Sequence, residues 1–459
     1  MSGSAVRVDS SEIVPLVDEG LGNSSYLVAL GDGRALVLDP SRDPNPYLKL
    51  ADDLNLRMAF AVETHLHADF ISGSRELAAF GAAIIAPRES HLATEYRGLG
   101  DGEEVDLGGL TLRALATPGH TPEHLSYLLL DGPKPLALFS GGAVLPGGAA
   151  RPDLIGPEQT EPLAHDLYRS AHKPLTNLPD DLPVYPTHGA GSFCSAGAGG
   201  QRTTTLGRER RENPLFTAAS ESAFVRTFLD RLGTYPPYFL RLRTVNQRGA
   251  RLYGVNPPEL AALSVDEFRR QQAAGAVAID VRRLVDFAGG HIPGALSIAL
   301  RPAFASWLGW IVQADRPLLF VRAPTQDARD LVEQCLKIGY ENLIGELGGG
   351  MAAWRAAGLP ESTIEIRQVN EEQQGVPLDV RQASEWAGGH IPGAQHVELG
   401  SVMASAGVIP PGPLTLYCGH GERAMTAASL LEGQGRGSLA VLDGGFDAWR
   451  SADRPIAIG

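Results

Sequence analysis

The sequence predicts a multidomain protein of mixed α/β and α+β class. Three observations predict it. The chain has 459 residues, room for about two to four domains. Up to about residue 250, short apolar strand-like runs and helical stretches follow one another without a fixed order. After that, one block of sequence occurs twice at an offset of 99 residues, from Asp280 to Asp379 and from His291 to His390, and strands alternate with helices in each copy. A repeat of that length is a whole domain, and the alternation predicts small α/β domains with parallel sheets.

Composition narrows the function. Apolar residues make up 43% and charged residues 20%, ordinary for a globular protein. The net charge of −14 argues against nonspecific nucleic-acid binding. No apolar run approaches the ~18 residues of a membrane span. The start, Met1-Ser2-Gly3-Ser4-Ala5-Val6-Arg7, has no signal-peptide architecture. Three cysteines, Cys194, Cys335 and Cys418, are too few for a disulfide framework and fit a reducing cytoplasm. The expectation is a cytoplasmic protein with no nucleic-acid or membrane partner. The sequence is compatible with a homo-oligomer.

The N-terminal part opens on a hairpin signal, with runs 26–30 and 35–38 around Asp32-Gly33, and Asp39-Pro40 ends the second strand. Residues 44–54 read as a helix and 58–62 as a buried strand. That strand delivers Thr64-His65-Leu66-His67-Ala68-Asp69-Phe70. Two histidines one residue apart at a strand end can aim both imidazoles at one place, which is a metal-ligand spacing. A helix at 74–80 follows, then strands at 83–85, 110–112, 125–130 and 136–139, the last leading to Gly141-Gly142. Further histidines sit in Pro/Gly turns: His120 in Thr117-Pro118-Gly119-His120-Thr121, and His188 in Tyr185-Pro186-Thr187-His188-Gly189. Residues 189–207 read as a loop. The charged run 206–212 reads as a solvated surface, with a dock for an anionic thiol substrate as the functional alternative. Residues 221–232 look helical, Tyr235-Pro236-Pro237-Tyr238 marks the end of this domain, and 245–258 reads as a linker.

This order of motifs resembles the metallo-β-lactamase superfamily over roughly residues 10–250, and within it the persulfide dioxygenases and their glyoxalase II relatives. The resemblance implies an αββα sandwich and a mononuclear Fe(II) site, with zinc as the alternative metal. The implied ligands are His65, His120 and an aspartate that is Gly142 in this chain. Phe70 stands where the family usually has a further histidine, and these two departures disfavour a dinuclear hydrolase. Either His67, Asp69 or Asp153 completes the site, or water does, or the metal is weak or absent. His188 is expected beside the metal or on the substrate side. The candidate ligands are therefore His65, His67, His120, Asp69 and His188.

In the last repeat the strand Pro413-Leu414-Thr415-Leu416-Tyr417 delivers Cys418, followed by Gly419-His420-Gly421-Glu422-Arg423 and a helix over 424–431. A cysteine at a strand end, under a Gly-rich loop that enters a helix, faces backbone N–H groups and the positive helix end; such donors favour anionic sulfur. Arg423 adds positive charge. The recurring phrases Asp379-Val380-Arg381, His390-Ile391-Pro392-Gly393-Ala394 and Gly444-Gly445-Phe446-Asp447-Ala448-Trp449 make this copy resemble a rhodanese, a sulfurtransferase that carries sulfur as a cysteine persulfide. Asp379, Arg381 and His390 read as braces. In the first copy Arg322 takes the place of Cys418, so that copy resembles a rhodanese without its nucleophile. Cys335 reads as core filler.

The expected domains are 1–250, 259–360 and 365–459. The resemblances imply a fused persulfide dioxygenase–sulfurtransferase. Its partners would be a small thiol persulfide (of glutathione, coenzyme A or a similar thiol) and thiosulfate or sulfite. A sulfurtransferase on a metal-poor scaffold and a thioester hydrolase with an attached rhodanese are the alternatives. Candidate catalytic residues are Cys418, Arg423, Gly419, Gly421 and Cys194. Cys194 follows His188 in a Gly-rich run, and two readings stand for it: buried filler, or a partly exposed thiolate that takes up sulfur beside the metal.

Overall fold

A computed structural model describes residues 6–8, 11–196, 200–371 and 374–458. Met1–Ala5, read above for a signal sequence, lies outside them, as does 197–199 of the loop after His188. The chain divides into two compact units, Met1–Pro257 with Leu336–Gly339, and Pro258–Cys335 with Tyr340–Gly459. Among the described residues no helix is long and apolar enough to cross a membrane.

In the first unit a seven-stranded sheet runs in chain order from Val6–Val8 to Arg97–Leu99. A six-stranded sheet has the order Thr204–Thr205, Pro183–Pro186, Lys134–Gly141, Leu125–Asp131, Leu110–Ala116, Glu104–Asp106. The two-residue period of a strand explains why both sheets are covered on both faces. Leu125, Tyr127 and Leu129 enter the core between the sheets, where Tyr26, Phe139 and Tyr185 also pack. Leu128 and Leu130, on the opposite face, join Leu167, Phe224 and Phe228. Those last residues come from the helices Pro157–His172 and Glu221–Leu229. On the outer face of the other sheet, Leu27, Ala35 and Val37 meet Tyr47 and Leu77 of the helices Asn45–Asp53 and Ser74–Ala78. The result is the αββα sandwich.

Two sequence expectations are corrected here. Residues 245–248 are not linker but the last turn of a helix, Phe239–Arg248, which belongs to this unit. The boundary expected at Tyr235-Pro236-Pro237-Tyr238 is therefore internal; its prolines start the helix, with Phe239 N–H donating to the Pro236 carbonyl at 3.0 Å. The charged run 206–212 is a helix, Leu206–Glu212, and Glu209, Arg210 and Arg208 in it have partners. Glu209 is buried and accepts from Thr204 Oγ1 at 2.7 Å and Gly147 N–H at 2.9 Å. Arg210 donates to the carbonyls of Leu175, Thr176 and Leu178 at 2.7, 2.8 and 3.0 Å. Arg208 is paired with Glu212 at 2.9 Å.

In the second unit the two repeats form two five-stranded parallel sheets with the same strand order. The first runs Ala262–Leu263, Leu343–Leu347, Leu318–Val321, Val277–Asp280, Leu296–Ser297. The second runs Glu365–Arg367, Leu439–Leu442, Leu414–Tyr417, Val376–Asp379, Gln395–His396. Each copy keeps the same buried brace. Arg282 donates to Asp280 at 2.6 Å and to the Gly290 carbonyl at 2.9 Å; Arg381 donates to Asp379 at 2.6 Å and to the Gly389 carbonyl at 2.7 Å. His390 lies flat on Trp386, ring centroids 3.4 Å apart. Replacing Arg381 by Ala would strand the Asp379 carboxylate, which has no solvent exposure. The expected loss is about 3–5 kcal/mol, read as a lower thermal midpoint of the second unit by calorimetry.

Candidate metal centre and sulfur-transfer site

In the first unit the strand Arg57–Val62 stops just before Glu63, and the H-x-H-x-D loop follows. The next strands of the sandwich bring the other histidines to the same edge. His120 enters from the turn before Leu125–Asp131, and His188 from the end of Pro183–Pro186. Gly119 has φ +145 in that turn, and a Cβ there would sit 2.5 Å from Leu167 Cα, so only glycine lets the turn close on the helix. His65, His67, His120, Asp69 and His188, named from the sequence, all lie in this one buried nest. The ring centroids of His65 are 4.3 Å from His67, 4.7 Å from His120 and 5.3 Å from His188.

The hydrogen bonds assign the tautomers. Thr64 Oγ1 donates to Asp39 at 2.7 Å, so it accepts from His65 Nδ1 at 2.8 Å, and the lone pair of His65 is on Nε2. His120 Nδ1 donates to the Arg151 carbonyl at 2.7 Å, which leaves its buried Nε2 as an acceptor with no partner. His188 Nδ1 faces two acceptors, Asn23 Oδ1 at 3.2 Å and Asp69 Oδ2 at 3.3 Å. Its Nε2 therefore points a lone pair at His65 Nε2, 3.3 Å away. Two such lone pairs converging in a dry site call for a cation between them. Two donors on one tetrahedral metal are about 3.4 Å apart at ordinary metal–nitrogen distances. These nitrogens fit a metal ion.

Charge in the nest is divided. Burial holds His65 and His120 well below the usual histidine range, and burial pushes His124 down to about 4. His67 goes the other way. Burial opposes its charge, but the Asp39 and Glu63 carboxylates outweigh it and raise His67 to about 10. His67 Nε2 is 2.9 Å from Glu63 and 3.3 Å from Asp39, and its buried Nδ1 has no hydrogen-bond partner. Phe70, in the place of the expected histidine, stacks on His67 with centroids 4.2 Å apart. Asp69 accepts from Asn23 Nδ2 at 2.8 Å and orients His188.

The carboxylate implied at position 142 has no room. A Cβ on Gly142 would stand 2.7 Å from His120 Cδ2 and 2.9 Å from Ala150 Cβ. Asp153, weighed as a replacement, has its oxygens on the Arg151 guanidinium at 2.6 and 2.7 Å. Cys194 does come to the nest, its sulfur within 4.8 Å of donor nitrogens of His120 and His188. The requirement for an exposed thiolate fails, however. Cys194 has no solvent exposure, and burial together with the Asp69 carboxylate holds its thiol up in the protonated form.

Several site residues escaped the sequence reading. His124 is spent structurally: its Nε2 accepts from Gly142 N–H at 2.9 Å and its Nδ1 donates to Thr117 at 2.9 Å. The helix Phe239–Arg248 straps the ligand loop. Asn246 Nδ2 donates to the carbonyls of His67 and Phe70 at 2.8 and 2.9 Å, and Tyr238 Oη donates to the Asp69 carbonyl at 3.0 Å. Arg243 grips Glu123 at 2.7 and 2.8 Å, and Glu123 accepts from Leu66 N–H at 3.0 Å. The Glu and the second His of the PGHTPEH stretch were the available signal; Asn246 of the strap, more than 170 residues from its partners, had none.

In the second unit Cys418 ends the strand Leu414–Tyr417, and Gly421 N–H donates to its sulfur at 3.1 Å as the helix Glu422–Gly433 begins. Gly421 has φ +117, a conformation natural to glycine, and it turns that N–H onto the sulfur. Cys418 is buried. Arg423 is not a lone positive charge: Glu385 takes both its nitrogens, at 2.6 and 2.8 Å. Burial works against the guanidinium charge, and Glu385 with the neighbouring Cys418 sulfur more than restores it. Gly419 lines the same loop, its Cβ position 3.4 Å from Arg423 Nη2. The first repeat contributes Trp307, whose ring centroid is 5.5 Å from the Arg423 guanidinium carbon, while Leu284 packs near Gly421. Its own loop is closed: Arg322 is paired with Glu346 and donates to the Gln326 carbonyl at 2.8 Å. Cys335 is buried filler, its thiol pushed up by burial.

Two outcomes follow for the nest. In metal-free protein the unfolded chain takes up protons at the ordinary histidine value of 6.5, whereas the folded nest resists down to about 4 at His124. The unfolded state then holds more protons in that window, so stability falls as pH drops from 6.5 toward about 4. Thermal midpoints of chelated protein across this range should fall steadily, and a flat profile would contradict a neutral nest. Gly142→Asp should destabilise by about 1–3 kcal/mol through overpacking against His120 and lower the bound metal per chain, read by calorimetry and metal analysis.

Comparison with known proteins gives the family. Residues 18–188 match the Metallo-beta-lactamase superfamily, and residues 264–357 and 364–452 each match the Rhodanese-like domain. The human mitochondrial persulfide dioxygenase ETHE1 is 31% identical over 201 residues, 43% of this chain and 72% of that protein. Its bovine counterpart is 31% identical over 223 residues, 46% of this chain and 79% of that protein. The crystal structure of a metallo-beta-lactamase from Staphylococcus aureus subsp. aureus COL superposes with a TM-score of 0.66 at 28% identity, covering 74% of this chain and 99% of that one. Given the sandwich, the histidine nest at its edge and the repeated Cys418-type fold, the chain belongs to the Metallo-beta-lactamase superfamily as a relative of the ETHE1 persulfide dioxygenases, joined to two rhodanese-like domains.

Proposed function

We propose that the chain is a persulfide dioxygenase–sulfurtransferase. The N-terminal unit would oxidise the outer sulfur of a small thiol persulfide to sulfite with O₂, and the last repeat would carry sulfane sulfur on Cys418. The observation that carries this reading is the occurrence in one chain of the ETHE1-like histidine nest and a cysteine placed under a helix-initiating N–H. Both chemistries handle the same intermediate, a sulfur–sulfur bond on a small carrier. Three unpaired cysteines fit a cytoplasmic setting for it.

Iron, when bound, would supply the activation of O₂. The residues of the nest hold the His65 and His120 imidazoles at fixed tautomers and keep the site dry. In the last repeat the Cys418 thiolate attacks the sulfane sulfur of thiosulfate. The S–S bond breaks, sulfite leaves with the electron pair, and the outer persulfide sulfur keeps the negative charge. Gly421 N–H and the Arg423 guanidinium lie where that charge is carried. A nucleophilic acceptor then takes the outer sulfur and returns the thiolate.

Cys418→Ser should abolish thiosulfate:cyanide transfer, since a hydroxyl cannot hold a persulfide, while O₂ uptake with glutathione persulfide continues. His120→Ala should do the reverse, with bound iron well below one per chain and transferase activity retained. A wild-type protein that consumes no O₂ with any small persulfide would leave the sulfurtransferase alone standing.

A further inference from the structure

We propose that Cys194 is the anionic ligand of the metal centre, binding as a thiolate with His120 and His188 in place of the carboxylate that position 142 cannot hold. The donor atoms of these three residues already lie within 4.8 Å of one another, and all three residues are buried. A cysteine alone would not make a site. The independent observation is His120 Nε2, a fully buried acceptor with no hydrogen-bond partner in the same cluster.

One residue sets both ligands. Ala149–Ala150 pairs with Ser195–Ala196 in a two-stranded ribbon, and the next residue, Arg151, uses its backbone in two directions. Its N–H donates to the Cys194 carbonyl at 2.8 Å, and its carbonyl accepts from His120 Nδ1 at 2.7 Å. The first bond places the thiol; the second turns the Nε2 lone pair inward. Arg151 is itself fixed by Asp153 and by Tyr235, whose ring centroid lies 4.5 Å from the guanidinium carbon. His65 Nε2, 3.3 Å from His188 Nε2, faces the same centre.

Charge requires an anion here. A divalent ion on neutral imidazoles in a dry site is poorly compensated. Asp69 has Oδ2 on Asn23 and facing His188 Nδ1, which suits it to orient a ligand, and its buried, unpartnered Oδ1 lies by Cys194 but joins no cluster of metal donors among the described residues. Asp153 is held by Arg151. Cys194 is the remaining group with an ionisable atom among the nitrogen donors. On binding, a metal–sulfur bond forms, the S–H bond breaks, and the proton leaves to solvent. Imidazole with thiolate selects zinc, cobalt or iron over magnesium or calcium. The assignment concerns ligation and does not rest on the persulfide dioxygenase reading.

The test uses the full chain carrying Cys418→Ser, so that the transfer cysteine adds no signal. Titration of chelated protein with Co(II) should build one thiolate-to-cobalt charge-transfer band that saturates at one cobalt per chain. Adding Cys194→Ser should remove the band and weaken cobalt binding by at least about tenfold. X-ray absorption at the zinc edge of the zinc-loaded parent should find one sulfur scatterer at about 2.3 Å; this decides the matter even if the serine variant does not fold. A shell of nitrogen and oxygen only, a band that survives Cys194→Ser, or no cobalt binding by the parent would overturn the assignment. None of these readouts depends on O₂ uptake.

Discussion

The histidine nest depends on one buried carboxylate, Asp39. It stands at the end of the strand Arg34–Leu38 with φ +47, and its two oxygens tie that strand end to two other segments, the loop 64–67 and Thr187. It accepts the N–H and the hydroxyl of Thr64 at 2.7 Å each, accepts the hydroxyl of Thr187, and faces His67 Nε2 at 3.3 Å. Thr64 precedes His65 and Thr187 precedes His188, so Asp39 sets the two histidines whose Nε2 atoms converge. Burial alone would raise this carboxyl; His67 and the donors around it hold it below the usual range instead. A carboxylate with that many donors is a fixed charge, and a fixed charge is what a preorganised cationic site is built around.

Around Asp39 the polar groups act in sequence rather than alone. Thr64 commits its proton to Asp39 and thereby determines the tautomer of His65. Arg151 does the same for His120 through a backbone carbonyl. The strap Phe239–Arg248 then holds the loop between them from outside, through Asn246 on the His67 and Phe70 carbonyls and Arg243 on Glu123. Partners beyond the ligands of a metal site orient those ligands and tune their basicity.

The two rhodanese-like repeats show one fold with a cysteine at the strand end in one copy and an arginine in the other. Both retain the buried Asp–Arg brace, since losing either partner would leave an unpaired charge in the core. The loop is free to diverge because it lies at the strand's end, outside the brace. Arg322 in the first copy fills its loop by pairing with Glu346, whereas Cys418 in the second is left facing the Gly421 N–H. The first copy reaches the Cys418 loop: Trp307 lies against Arg423, and Thr426 Oγ1 donates to the Ser297 carbonyl at 2.6 Å across the pair.

Much of this was legible in the sequence, because it depends on local order. The apolar run from Leu125 to Leu130 determined a strand, the phrase around His65 and His67 determined that a loop of donors follows a strand, and the repeat with Cys418 in one copy and Arg322 in the other determined which rhodanese-like domain carries a cysteine at that position. What the tertiary structure decided is who meets whom. Asp39 read as a strand terminus and is a hub; residues 245–248 read as linker and are the end of a strap; Asp153 read as a spare ligand and is spent on Arg151. Position 142 read as a vacancy and is closed by the His120 ring, while Cys194 arrives buried beside that ring. Local periodicity is set by the backbone of each element, but partners such as Asn246 and His67, 179 residues apart, are chosen only when burial forces every polar group in the nest to find a donor or an acceptor.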